Sequence, residues 1–138
     1  MNNKINFIVL EKSDYSKYSK QILDFYENRF VNPFTQVTID NSALICLAMY
    51  DSNIVGALRV ISDLTRHADI VDLNVRKAYR RQKVGTRLTQ LVLDYLVEHK
   101  VNNIGLTTEH GVDWLPDFYK KIGFTELENS VYLEYKQK

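Results

Sequence analysis

The chain has 138 residues, with 18 Lys and Arg against 17 Asp and Glu and a net charge of +1. That length suits one domain with room for a real core, and the near-neutral charge argues against a chain built as a whole to bind nucleic acid. A 45% hydrophobic and 25% charged composition is that of an ordinary globular protein, and no apolar run approaches membrane-spanning length.

In chain order, "INFIVL" (Ile5 to Leu10) predicts a first strand. Tyr15, Tyr18, Ile22, Phe25, Tyr26 and Arg29 then recur at helical spacing, and Pro33 marks a break or a new helix start. "ALICLAMY" (Ala43 to Tyr50) is a continuous apolar run, as expected of a strand covered on both faces. Its one cysteine, Cys46, reads as a buried, inert thiol. The polar turn Asp51-Ser52-Asn53 leads to "IVGALRVIS" (Ile54 to Ser62), which predicts the second arm of a hairpin. A second turn, Asp63 to Arg66, leads to "ADIVDLNV" (Ala68 to Val75), with Val71, Leu73 and Val75 on one face and Asp72 and Asn74 on the other.

From Val84 the period changes to that of a helix reaching about Lys100. "NIGLTT" (Asn103 to Thr108) predicts a short strand. "DWLPDFYKKIGF" predicts a short helix with Pro116 in its first turn and Gly123 just past its end, and "SVYLEYK" a closing strand. His67, His99 and His110 show no metal-ligand spacing, so no metal is expected.

Between the fourth strand and the long helix lies "VRKAYRRQKVGTRL", with four arginines and two lysines around Gly85. A loop feeding a helix N-terminus offers converging free N–H groups and a favourable dipole for an anion, and glycine permits close backbone approach. Taken alone, the stretch reads first as a solvated basic loop.

"LNVRKAYRRQKVGTRL" resembles the acyl-CoA-binding motif of the GNAT superfamily of acyl-CoA-dependent N-acyltransferases, Arg/Gln-x-x-Gly-x-Gly/Ala at the start of the central helix. The preferred register sets Arg80 at Arg/Gln, Gly85 at the final Gly/Ala, and Lys83 where the first glycine is usual. A rival register starting at Gln82 sets Gly85 first and Arg87 at the small position. "DFYKKIGF" is similar to the family's Phe-Tyr-x-x-x-Gly-Phe, and "GALRVISD" with "IVDLNV" resembles the meander before the turn.

The resemblance implies an α+β (α/β) GNAT fold, a single domain over residues 1–138 with a mixed, mostly antiparallel central sheet flanked by helices. It implies acetyl-CoA as co-substrate, with pantetheine along Leu73, Asn74 and Val75 and the pyrophosphate on the turn formed by Arg80, Arg81, Gln82, Lys83, Val84, Gly85 and Thr86. It implies Tyr119 as general acid, Asp72 or Asp69 as base with Glu109 as a further carboxylate, and Arg29, Phe30 and Arg59 along the acceptor pocket. The expected acceptor is a small-molecule amine, with no nucleic-acid or membrane partner. A cytoplasmic monomer or homodimer is expected, the N-terminus lacking a signal-peptide core. The competing expectation is a GNAT module that binds acyl-CoA without turnover, which Lys83 would favour and Tyr119 would oppose.

Overall fold

Burial centres on the hairpin that the long apolar run predicts. In the computed structural model, which describes residues 4–108 and 114–137, that hairpin is β2 (Leu44–Tyr50) and β3 (Asn53–Ser62). The first six residues of β2 are all buried, and Ala43 to Ala48 are at most 6% exposed. A strand covered on both faces has no room for alternation, which is why the run is continuous. β1 (Ile5–Leu10) pairs antiparallel with β2, and β3 pairs antiparallel with β4 (His67–Val75). A short β5 (Asn103–Gly105) adds in parallel to β4, giving the sheet order β1-β2-β3-β4-β5.

The chain divides into two compact units, one ending at Thr107 and the other running from Thr108. In the first, the helical pattern of the early chain becomes a 3-10 turn over Lys12–Lys17 and then α1 (Ser19–Tyr26), with α2 (Gln36–Asp40) following Pro33. Ile22, Phe25 and Tyr26 of α1 pack with Ile39 of α2 and with Ile45, Leu47 and Met49 on one face of β2. Each such side chain taken fully from water contributes about 1.5–3 kcal/mol before conformational entropy is counted. Tyr15 and Tyr26 are buried with their hydroxyls donating to the carbonyls of Ser42 and Asp72, at 2.8 and 2.6 Å. Burial holds both phenols well above their ordinary pKa.

α3 (Val84–Glu98) covers the opposite face with Val84, Leu88, Val92 and Leu96. Its first turn lies close to β3 at Gly56, where a Cβ would fall 2.9 Å from Val84 Cγ1 and 3.2 Å from Leu88 Cδ1. Gly56 therefore sets how near α3 begins to the sheet. Cys46 lies on the same face of β2, and burial pushes its thiol up to about 12, in line with an inert core residue.

The second unit holds α4 (Trp114–Ile122), with Gly123 directly after it. The Gly123 N–H reaches the Lys120 carbonyl at 3.1 Å, and the Phe124 N–H reaches the Tyr119 carbonyl at 3.1 Å. Those two bonds, Gly123 at φ +125° and the Tyr119–Phe124 ring contact at 5.9 Å together form a Schellman cap.

Two boundaries differ from the sequence-based expectation. β5 stops at Gly105 instead of Thr108. The expected closing strand over "SVYLEYK" does not form: residues 130–137 have no regular structure, and Val131, Leu133 and Tyr135 are exposed. Alternation marks a side-chain pattern, but a strand exists only where a neighbour supplies the ladder, and among the described residues this unit contains no other strand. Glu109 and His110 lie outside the described residues.

Candidate active site

β4 is built to come apart from its neighbour. Only His67, Ala68 and Asp69 pair with β5, opposite Asn103, Ile104 and Gly105. Beyond Asp69 the outward backbone groups of residues 70–75 have no strand partner on that side among the described residues. On the other side the register to β3 slips: Arg59 faces Val71 but Ala57 faces Asn74, so β4 carries one extra residue. Asp72 sits in this bulge at φ 60°, and the Tyr26 hydroxyl clamps its carbonyl. A strand with a free edge can pair with an extended, amide-bearing ligand, and Leu73, Asn74 and Val75 lie on that edge.

The chain then turns sharply. The Arg76 N–H bonds the Val55 carbonyl at 2.8 Å, and a 3-10 turn covers Lys77–Tyr79. Arg81 and Lys83 both adopt left-handed backbone, at φ 67° and 61°. Lys83 is the N-cap of α3, with no side-chain cap bond, and the first intrahelical bond runs from the Arg87 N–H to the Lys83 carbonyl. The amides of Val84, Gly85 and Thr86 therefore point out of the helix without intrahelical partners. Lys77, Arg80, Arg81, Lys83 and Arg87 are exposed, and among the described residues none makes an ion pair. Free amides, a helix dipole and unpaired cations beside a free strand edge fit a pyrophosphate joined to an extended amide chain, which is the chemistry of coenzyme A.

The remaining candidate residues fall into separate settings. Asp72 Oδ2 lies 2.5 Å from Arg59 Nε, so that oxygen is occupied by a guanidinium. Asp69 stands on the same face of β4, at the last rung shared with β5, with His67 Nε2 3.0 Å from its Oδ1. Arg59 also lies over the Phe34 ring at 5.9 Å. Arg29 folds back on α1, its Nε bonding the Phe25 carbonyl at 2.7 Å and its guanidinium lying over the Phe25 ring. Phe30 joins a ring cluster with Tyr26 and Phe34, at centroid distances of 5.7 and 6.1 Å. Tyr26, Phe34 and Gly56 were not legible as site residues. The lone glycine inside a strand pattern was the one available signal, for Gly56.

In the second unit, Tyr119 is half-buried, with its ring edge-on to Phe118 at 4.9 Å. Burial raises its phenol above the ordinary value, so it stays protonated at neutral pH. Its hydroxyl makes no hydrogen bond among the described residues.

A strand that runs through a bulge into a cationic helix N-terminus gives this α+β fold a candidate anion site. The model of the acetyltransferase (GNAT) family matches residues 7–124, spanning both units, and the chain belongs to that family. It is an acyl-CoA-dependent acetyltransferase, and the family uses acetyl-CoA. N-alpha-acetyltransferase 30 of Schizosaccharomyces pombe is 28% identical over 120 residues, covering 84% of this chain and 73% of that protein. An aminoglycoside acetyltransferase from an uncultured soil metagenomic sample, solved in complex with trehalose, superposes with a TM-score of 0.74 at 23% identity over 99% of both chains. A GNAT family acetyltransferase from Streptococcus pneumoniae TIGR4 does so at 0.73 and 20% identity, covering 98% of this chain and 99% of that one. No helix among the described residues is long and apolar enough to cross a membrane.

Proposed function

We propose that this enzyme transfers an acetyl group from acetyl-CoA to a primary amine of a small molecule by direct attack. The observation that carries the reading is the free edge of β4 past Asp69 leading straight into the unpaired amides at the start of α3. Leu73, Asn74 and Val75 would hold the pantetheine arm, and the amides and cations from Arg80 to Thr86 the pyrophosphate. Bound acetyl-CoA supplies the acetyl group as an activated thioester.

The chain's own residues then have two proton tasks. An ammonium must lose a proton before it can attack, and the departing thiolate must gain one. Asp69 suits the first better than Asp72, because the Asp72 carboxylate is already engaged by Arg59. Asp69 would act through water, with His67 orienting its carboxylate. Asp72 and Arg59 then serve as positioning residues that, with Tyr26, hold the bulge open. Tyr119 suits the second task, since a phenol kept neutral by burial can donate a proton.

The test is calorimetry and thermal unfolding with coenzyme A. At a concentration a hundredfold above Kd, linkage stabilises the fold by about 2.7 kcal/mol, which raises Tm by several degrees. No shift at millimolar coenzyme A in low salt would sink the reading.

A further inference from the structure

Arg76 is exposed at the start of the cationic turn, yet its side chain is bound back onto the fold. Its N–H bonds the Val55 carbonyl at 2.8 Å and its Nε the Ile54 carbonyl at 2.9 Å, both at the buried start of β3. The guanidinium lies 5.0 Å from the ring centroid of Phe25, a buried residue of α1. Further along the turn, the Tyr79 ring rests against Tyr50 at the end of β2, with centroids 5.6 Å apart. The side chains of Lys77, Arg81, Lys83 and Arg87, by contrast, make no hydrogen bond or ion pair among the described residues.

The same helix holds the other end of the strand edge. Tyr26, next to Phe25 on α1, donates to the Asp72 carbonyl at 2.6 Å. Gln21 of α1 donates to the Ser52 carbonyl in the β2–β3 turn at 2.7 Å. Leu73, Asn74 and Val75 therefore run between two fixed points, Asp72 and Arg76, each in contact with α1. Coenzyme A joins a flexible arm to a pyrophosphate, so its binding gains where both parts meet surfaces held at a preset spacing.

We propose that Arg76 is a positioning residue and not a phosphate ligand. It pins the start of the turn to the β2–β3 hairpin and α1, and so sets the distance between the strand edge and the amides at the start of α3. Swinging its guanidinium out to a phosphate would break the partly buried bond to the Ile54 carbonyl. The cations left to meet an anion are those without partners. The assignment rests on the acetyl-transfer reading above.

The experiment compares Arg76→Gln with Arg76→Met by calorimetry. Both new side chains are neutral and nearly equal in reach, and glutamine sets an N–H donor as many bonds from Cα as arginine Nε. The ligands are coenzyme A and 3′-phosphoadenosine 5′-diphosphate, which keeps the pyrophosphate but lacks the pantetheine arm. Arg76→Met should weaken coenzyme A about tenfold and the fragment less than about threefold, while Arg76→Gln stays close to wild type. The salt dependence of coenzyme A binding should hold in both variants, because no phosphate contact is lost. Equal losses in both variants with a flattened salt dependence would make Arg76 a phosphate ligand and overturn the proposal. Wild-type affinity in Arg76→Met, whatever its Tm, would overturn it too, as would a loss there shared equally by the fragment. A wild type that binds no coenzyme A fells the acetyl-transfer reading itself, whereas binding unchanged by either variant fells only the role of Arg76.

Discussion

Both helices with a recognisable motif have a positive-φ residue at one end, and the two ends solve that demand differently. At the end of α4 the residue is Gly123, and the Schellman cap around it is made of backbone bonds plus the Tyr119–Phe124 contact. At the start of α3 the residues are Lys83 and Arg81, which hold left-handed backbone despite their side chains. For an L residue that conformation costs roughly 1–2 kcal/mol. Where a terminus only has to stop a helix, glycine is the unstrained answer. On the proposed function this terminus faces an anion, and Lys83 would add a cation there at the expense of that strain.

That comparison can be broken first at Tyr119. Its carbonyl and ring belong to the cap, whereas its hydroxyl is unused there. Tyr119→Phe should therefore leave Tm and coenzyme A affinity nearly constant while kcat falls by roughly 10²–10⁴-fold. Wild-type kcat in a destabilised variant would show the residue to be structural only.

Next in size is Gly85→Val. A branched side chain beside the outward amides should weaken coenzyme A binding about tenfold or more, read by calorimetry. Unchanged affinity would count against the register that sets Gly85 at the small position. Gly123→Ala comes third, a loss of about 1 kcal/mol and a few degrees of Tm with no change in coenzyme A affinity. An unaffected Tm would mean that the cap contributes little.

The smallest effect is expected for Lys83→Gly. Relief of the left-handed strain is partly cancelled by the extra freedom of glycine in the unfolded chain, so stability should rise by no more than about 1 kcal/mol. Coenzyme A affinity should fall modestly in low salt and its salt dependence should flatten. A gain in affinity would mean that Lys83 only tolerates the site and adds no attraction.

Local pattern determined much of this protein. The apolar run of β2, the turn at Asp51-Ser52-Asn53, the amphipathic stripe of α3 and the Gly123 cap each follow from neighbours in sequence, so their boundaries fell within a residue or two of those expected. The basic turn and the motif at "DFYKKIGF" carried the family resemblance, which the family model over residues 7–124 bears out. Tertiary structure alone decided the rest. β4 stops pairing with β5 where β5 ends at Gly105, it carries an extra residue opposite β3, and no periodicity in "ADIVDLNV" announces either. That Asp72 is engaged by Arg59 while Asp69 stands beside His67 depends on strand register. Phe30 and Phe34 meet because the chain between α1 and α2 folds over Tyr26. "SVYLEYK" shows the limit from the other side: alternation encodes which face a strand would bury, but only a partner strand can supply the hydrogen bonds that make it one.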